Sequence, residues 1–149
     1  MPPFEKILVK YDIDLVYFLS PNKLAIDLVK INFITTVWDL CHRDAMEFPE
    51  VYTYCKFEQR EILFNKLLIK SVAVITDSGQ GKINIIRRYG VDENRVYPVS
   101  FLPSKDSNNT NSIAVKKKYG IEENYIYYPA QFWSHKNHVY IIDAISLLK

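Results

Sequence analysis

Phe57-Glu58-Gln59-Arg60-Glu61-Ile62-Leu63-Phe64-Asn65-Lys66-Leu67-Leu68-Ile69-Lys70 leads through Ser71 into Val72-Ala73-Val74-Ile75-Thr76, then Asp77-Ser78 and a second amphipathic stretch that stops at Gly90. In the first segment Phe57, Leu63, Phe64, Leu67 and Leu68 recur at three- and four-residue spacing, which is one face of a helix. Residues 72–76 are rich in β-branched side chains and read as a buried strand. Asp77 and Ser78 bring side-chain oxygens to the place where a helix start leaves amides unpaired. The helix beyond them is expected to turn Ile83, Ile86 and Tyr89 inward, and Gly90 supplies the left-handed residue that ends it. Helix, strand and helix in this order are the repeating unit of an α/β fold with a parallel sheet.

The same alternation extends in both directions. Residues 14–20 and 33–38 read as strands, and residues 95–101 as a further one close to an edge, because Pro98 cannot donate to a ladder. Residues 104–112 contain no apolar side chain and read as a linker. Beyond it lie a helix over 113–119 whose Lys116, Lys117 and Lys118 form a solvated face, a fifth strand over 125–130, and a helix over 139–149 with Ile141, Ile145 and Leu148 as its stripe. The expected organisation is a parallel α/β domain over 1–103, a linker over 104–112, and a segment over 113–149 that either docks onto the first sheet or begins a larger second domain. One strand and two short helices after the linker cannot form a layered core of their own.

Composition narrows the function classes. The chain has 149 residues, 48% of them hydrophobic and 24% charged, which is globular rather than disordered. A net charge of +2 lacks the asymmetry of a dedicated nucleic-acid binder. No apolar run reaches the ~20 residues of a membrane span, and the start shows no basic end followed by an apolar stretch that would mark a signal peptide. Cys41 and Cys55 form no Cys-x-x-Cys unit, so reduced thiols in a cytoplasmic protein are expected.

Two segments place polar groups beyond the carboxyl ends of strands, where α/β proteins hold ligands. Trp38-Asp39-Leu40-Cys41-His42-Arg43-Asp44 offers a carboxylate, an imidazole and a guanidinium within five positions. The plain structural alternative has Asp39 and His42 bonding loop amides and Arg43 pairing with Asp44. Gln131-Phe132-Trp133-Ser134-His135-Lys136-Asn137-His138 brings Lys136 to a helix start that suits an anion. Its plain alternative is Asn137 as a helix cap and Lys136 in solvent. A further alternative is a small metal hydrolase using His42, His135 and His138, although His-x-x-His lacks the four-residue helical spacing of the zinc-protease motif and the ligands would come from opposite sides of the linker. There is no dinucleotide fingerprint and no phosphate-binding loop with Gly-Lys.

Together, Val37 to Arg43 followed by Glu47-Phe48-Pro49-Glu50-Val51, and Tyr128 to His138, resemble the group 1 glycosyltransferases of family 4. Ala73 to Ser78 and Arg95 to Val99 fit the middle region of that family. The resemblance implies a partial GT-B architecture: 1–103 as part of the acceptor-side domain and 113–149 as the start of the donor-side domain. It implies transfer from a nucleotide-sugar, with retention of configuration and no required cofactor or metal, to a glycan or lipid-linked acceptor in surface polysaccharide synthesis. It further implies a cytoplasmic protein with peripheral contact at the inner membrane face, although no basic amphipathic helix stands out in the sequence.

Carried over by position, Asp39 and His42 are the catalytic candidates facing the transferred sugar, with Trp38 and Arg43 as acceptor or loop residues. Gln131, His135, Lys136 and Asn137 are the donor-binding candidates, Lys136 neutralising the diphosphate. Trp38 stands where many relatives have histidine, Gln131 where many have arginine, and Ser134 where proline is frequent. The family's early strands and glycine-rich loop are expected before Met1, and its Glu-x7-Glu pair beyond Lys149. A chain of this extent is therefore expected to be inactive alone. The alternative from another class is a non-catalytic remnant that docks on a partner.

Overall fold

Strands form where β-branched and aromatic residues alternate inward, and four such segments pair in this chain. A computed structural model describes residues 1–102 and 112–148. The strands are β1 (Leu15–Phe18), β2 (Asn32–Val37), β3 (Ala73–Thr76) and β4 (Val96–Pro98). All neighbours are parallel and the order is β1-β2-β3-β4. The expected α/β, Rossmann-like parallel sheet is thus present, and Pro98 sits on an edge strand where its missing donor costs nothing. Two compact units divide the chain at Ser100 and Phe101.

In the first unit the helices are α1 (Pro3–Lys10), α2 (Lys23–Asp27), α3 (Cys41–Asp44), α4 (Pro49–Tyr52), α5 (Lys56–Lys70) and α6 (Gly79–Tyr89). A monotonic strand order with right-handed crossovers puts the connecting helices on one face. The core bears this out. Phe64 and Leu68 of α5 and Ile85 of α6 meet Val37, Val74 and Val96, while Leu67 of α5 joins Phe18, Phe33, Ala25 and Leu28. The strand residues in these clusters all point to the same side. On the other side Tyr17 and Tyr97 stay half-exposed, with Ile34, Ala73 and Ile75 between them.

Several anchors hold the helical layer down. Glu5 of α1 is buried, and one of its oxygens accepts the backbone N–H groups of Val29, Lys30 and Ile31 at 2.7, 2.6 and 3.1 Å. Burial alone would raise this carboxyl, but the three amides outweigh it and hold it below its ordinary range. Arg95 donates to Leu68 O at 3.0 Å and Ile69 O at 3.2 Å, and also to Ser71 O, closing the end of α5.

Ser78 caps α6 as expected, its Oγ accepting from Gly81 N at 3.1 Å, and Gly90 ends the helix at φ 64°. The expected apolar stripe of α6 needs correction: Ile85 is the fully buried residue, Ile86 and Tyr89 pack beside it, and Ile83 is largely exposed. The reason is Gly81, one turn before Ile85. A Cβ on Gly81 would lie 2.3 Å from Thr76 Oγ1, so the helix approaches the sheet along its side-chain-free flank.

The second unit contains α7 (Ser112–Tyr119) and α8 (His138–Ser146). The fifth strand expected over 125–130 is not formed: those residues join no ladder. A parallel strand needs a neighbour within its own unit, and the second unit contributes none among the described residues. The helix expected over 139–149 ends at Ser146, so Leu148 lies beyond it, and both Ile145 and Leu148 of the expected stripe are exposed. The expected linker over 104–112 falls outside the described residues except for Ser112, the first residue of α7.

Candidate functional site

The chain leaves β2 through Trp38 and Asp39 and turns at once into α3, with Leu40 buried beneath the turn. Asp39 makes this turn by accepting Cys41 N at 2.9 Å through its own Oδ1, a local bond that aspartate forms readily. The same oxygen accepts Arg60 Nη2 of α5 at 2.7 Å, and Arg60 also donates to Asp39 O at 3.2 Å and to Cys41 Sγ at 3.1 Å. Partial burial would raise the Asp39 carboxyl, but the bonds from Cys41 and Arg60 outweigh it and hold it at about 2. The Cys41 thiol is pushed up, first by burial and then by the Asp39 carboxylate, so it is a poor nucleophile at neutral pH.

His42 is directed inward. Its ring is fully buried, stacked on Phe64 at 5.4 Å with an 18° tilt. Nε2 lies 2.7 Å from Glu61 Oε1 and 3.1 Å from Tyr89 Oη. Burial lowers the imidazole pKa more strongly than Glu61 raises it, so the ring is neutral at pH 7. An ionised Glu61 can only accept, hence Nε2 carries the proton, and Nδ1 is a buried lone pair with no partner.

Arg43 does not pair with Asp44, as its plain alternative had it. It forks onto Glu61, through Nε at 2.8 Å and through Nη2, and lies over the Tyr89 ring at 4.7 Å. Asp44 instead pairs with Arg88 of α6. Glu61 is the hub of this network: it also accepts from Tyr89 Oη at 2.7 Å. Its carboxyl is held at about 2, chiefly by Arg43. Glu61 and Arg60, side by side on α5, were not singled out in the sequence. Their signal was two consecutive polar residues on the flank of α5 beside Phe57 and Phe64, the residues that touch His42.

Trp38 and Asp39 separate two hollows above the carboxyl ends of the strands. One, of about 350 Å³, is lined by Pro21, Trp38, Asp39, Arg60, Leu63 and Phe64. The other, of about 170 Å³, lies between Trp38, Asp39 and the start of α6, where Ser78, Gln80 and Asn84 add hydroxyl and amide groups. This is the position at which parallel α/β sheets receive ligands. A half-exposed indole beside an ionised carboxylate can stack on and hydrogen-bond a hydroxyl-rich ring.

The remaining candidates lie in the second unit. Asn137 caps α8, its Oδ1 accepting Tyr140 N at 3.2 Å, from a backbone at φ 48°. Ser134, His135 and Lys136 form a single 3₁₀ turn. Lys136 and Gln131 are exposed. The Lys136 carbonyl accepts Tyr128 Oη at 3.0 Å, and His135 meets Trp133 with ring centres 5.6 Å apart. His138 is held between Phe132 at 4.7 Å and Tyr128 at 5.0 Å. Thus Trp38, Asp39, His42 and Arg43 gather in one unit, and Gln131, His135, Lys136 and Asn137 in the other. Among the described residues no group of three His, Cys, Asp or Glu side chains is placed to hold a metal ion.

No family model and no curated protein matches this chain. A crystal structure of a glycosyltransferase from Rickettsia africae ESF-5 is similar over 98% of this chain, with a TM-score of 0.60 and 21% identity. This chain spans 38% of that protein's chain. At such identity the likeness establishes a shared α/β fold.

Proposed function

We propose that this chain forms part of a glycosyltransferase, with the Trp38–Asp39 crevice receiving the hydroxyl-bearing acceptor and the turn at Lys136 receiving the donor. The supporting observation is the combination of a fold shared with a glycosyltransferase along nearly the whole chain and a crevice at the strand ends built from an indole and an ionised carboxylate. Retention of configuration, a nucleotide-sugar donor, independence from metal and other cofactors, and a role in surface polysaccharide synthesis are parts of this proposal that come from the family resemblance.

The residues divide the work by their environments. A carboxyl at about 2 is a weak base, so Asp39 acts as a fixed acceptor that orients a hydroxyl rather than as a proton abstractor. Trp38 gives the ring a face. Arg60 holds Asp39 ionised and in place. His42 has no exposed surface, so it acts through the loop: with Arg43 and Glu61 it fixes the turn that carries Trp38 and Asp39. At Lys136 an exposed ammonium group is the charge that would meet a diphosphate as the nucleotide leaves, beside Gln131, His135 and Asn137.

The test is a titration of the 149-residue chain with nucleotide-sugars of different bases, followed by backbone amide NMR. Shifts are expected over residues 131–138, with affinity falling roughly tenfold or more in Lys136→Ala, the scale of a lost charged hydrogen bond. Unchanged donor affinity in that variant would remove Lys136 from the site.

A further inference from the structure

The smaller hollow, between the Trp38–Asp39 turn and the start of α6, is one-sided in charge. Asp39, Asp44 and Asp77 line it, and no lysine, arginine or histidine does. Two of these carboxylates have guanidinium partners from outside the lining: Arg60 reaches Asp39 at 2.7 Å, and Arg88 pairs with Asp44. Asp77 is different. It accepts the hydroxyls of Ser78 at 3.0 Å and Thr76 at 3.4 Å, and no cation pairs with it among the described residues. The first turn of α6 opposes this charge with about half a positive one, which is less than a whole carboxylate. Val37, Leu40 and Ile85 add apolar wall, which focuses the remaining field.

A metal ion would need carboxylates that converge, and among the described residues these form no such group. An organic cation needs only one of them. At about 170 Å³ the hollow is smaller than the roughly 300 Å³ of ordinary ligand pockets, so it takes one edge of a single ring. Gln80 Nε2 donates to Asn84 Oδ1 at 3.0 Å, which leaves Gln80 Oε1 to accept from ring hydroxyls and Asn84 Nδ2 to donate to them. The half-exposed Trp38 indole favours a cation as well. A uronic acid or sugar phosphate would instead bring a second negative charge against Asp77. We propose that the acceptor received by this crevice is an unacetylated amino sugar, its ammonium group paired with Asp77. The inference rests on the acceptor reading above and adds the charge of the substrate to it.

The experiment titrates the full 149-residue chain with the methyl glycosides of glucosamine, glucose and glucuronic acid and reads the Trp38 indole N–H by NMR. A pH of about 6.5 keeps the amine protonated. The glucosaminide is expected to bind about fivefold more tightly than the glucoside, the factor for one charge pair at roughly 4 Å in water, and the glucuronide more weakly than either. The spread should narrow as salt rises. Asp77→Asn, equal in shape and still an acceptor for both hydroxyls, should bring the glucosaminide down to the level of the glucoside. Glu93→Gln, exposed and at the amino end of β4, should leave the preference intact. Trp38 shifts with equal affinities, or with the order reversed, would overturn the amino-sugar proposal while the acceptor crevice stands. A preference lost through Glu93→Gln instead of Asp77→Asn would overturn it too, as a mere effect of net charge. A Trp38 resonance that no glycoside moves would overturn both this proposal and the crevice reading. The ranking in the parent protein decides the matter even where a variant fails to fold.

Discussion

Glu61→Ala removes the acceptor that three side chains share. His42 Nε2 and Tyr89 Oη each lose a bond of 2.7 Å, and Arg43 loses both arms of its fork. A buried polar group left without a partner costs about 1–3 kcal/mol. The Arg43 side chain is 31% exposed, so water recovers part of its loss. Counting these coupled losses once gives about 3 kcal/mol rather than their sum. At roughly 4 °C per kcal/mol for a unit of this size, Tm should fall by about 12 °C.

Glu61→Gln keeps the shape and one acceptor and should cost about half as much. The pH dependence supplies a second readout. The Glu61 carboxyl is held at about 2 against an ordinary 4.5, so its contribution is complete above pH 4.5 and is lost as pH falls toward 2. In the Gln variant that share of the acid sensitivity should vanish, leaving what Asp39 and Glu5 still confer. Thermal and urea melts across this range are the assay. A Glu61→Ala protein within about 1 kcal/mol of the parent, with the same acid limb, would refute the hub.

Gly81→Ala should destabilise by about 1–3 kcal/mol, because its Cβ would stand 2.3 Å from Thr76 Oγ1, and Thr76→Ala should restore much of that loss in a urea melt of the double variant. The His42 ring should titrate below its ordinary 6.5 and carry its proton on Nε2; long-range nitrogen NMR reads both, and an Nδ1–H tautomer would contradict the network. Because the folded His42 resists protonation, stability should decline as pH drops below about 6.5, a limb that His42→Gln removes from the melting profile.

The helix, strand and helix over residues 57–90 were legible because their apolar spacing and caps are local properties, and Ser78 and Gly90 behave as their chemistry demands. The α6 face was misread because Gly81 carries no side chain to mark it, yet contact with Thr76 makes that flank the buried one. The segment over 125–130 has strand-forming residues, but a ladder depends on a neighbour that composition does not reveal. At the site, Asp39 and Trp38 could be placed by their position after β2. The partners that hold this loop, Arg60 for Asp39 and Glu61 for His42 and Arg43, lie about twenty residues away on α5 and are brought near only by the crossover. Glu5 was invisible for the same reason: its partners are amides 24 to 26 residues distant.

The most direct measurement is the indole N–H resonance of Trp38 during a titration with sugars that carry free hydroxyls. The proposed acceptor crevice requires that resonance to move saturably and the response to weaken in Asp39→Asn, while the indole of Trp133 stays still. A Trp38 indole that remains unmoved as sugar reaches high concentration would contradict the assignment of this crevice to glycosyl transfer.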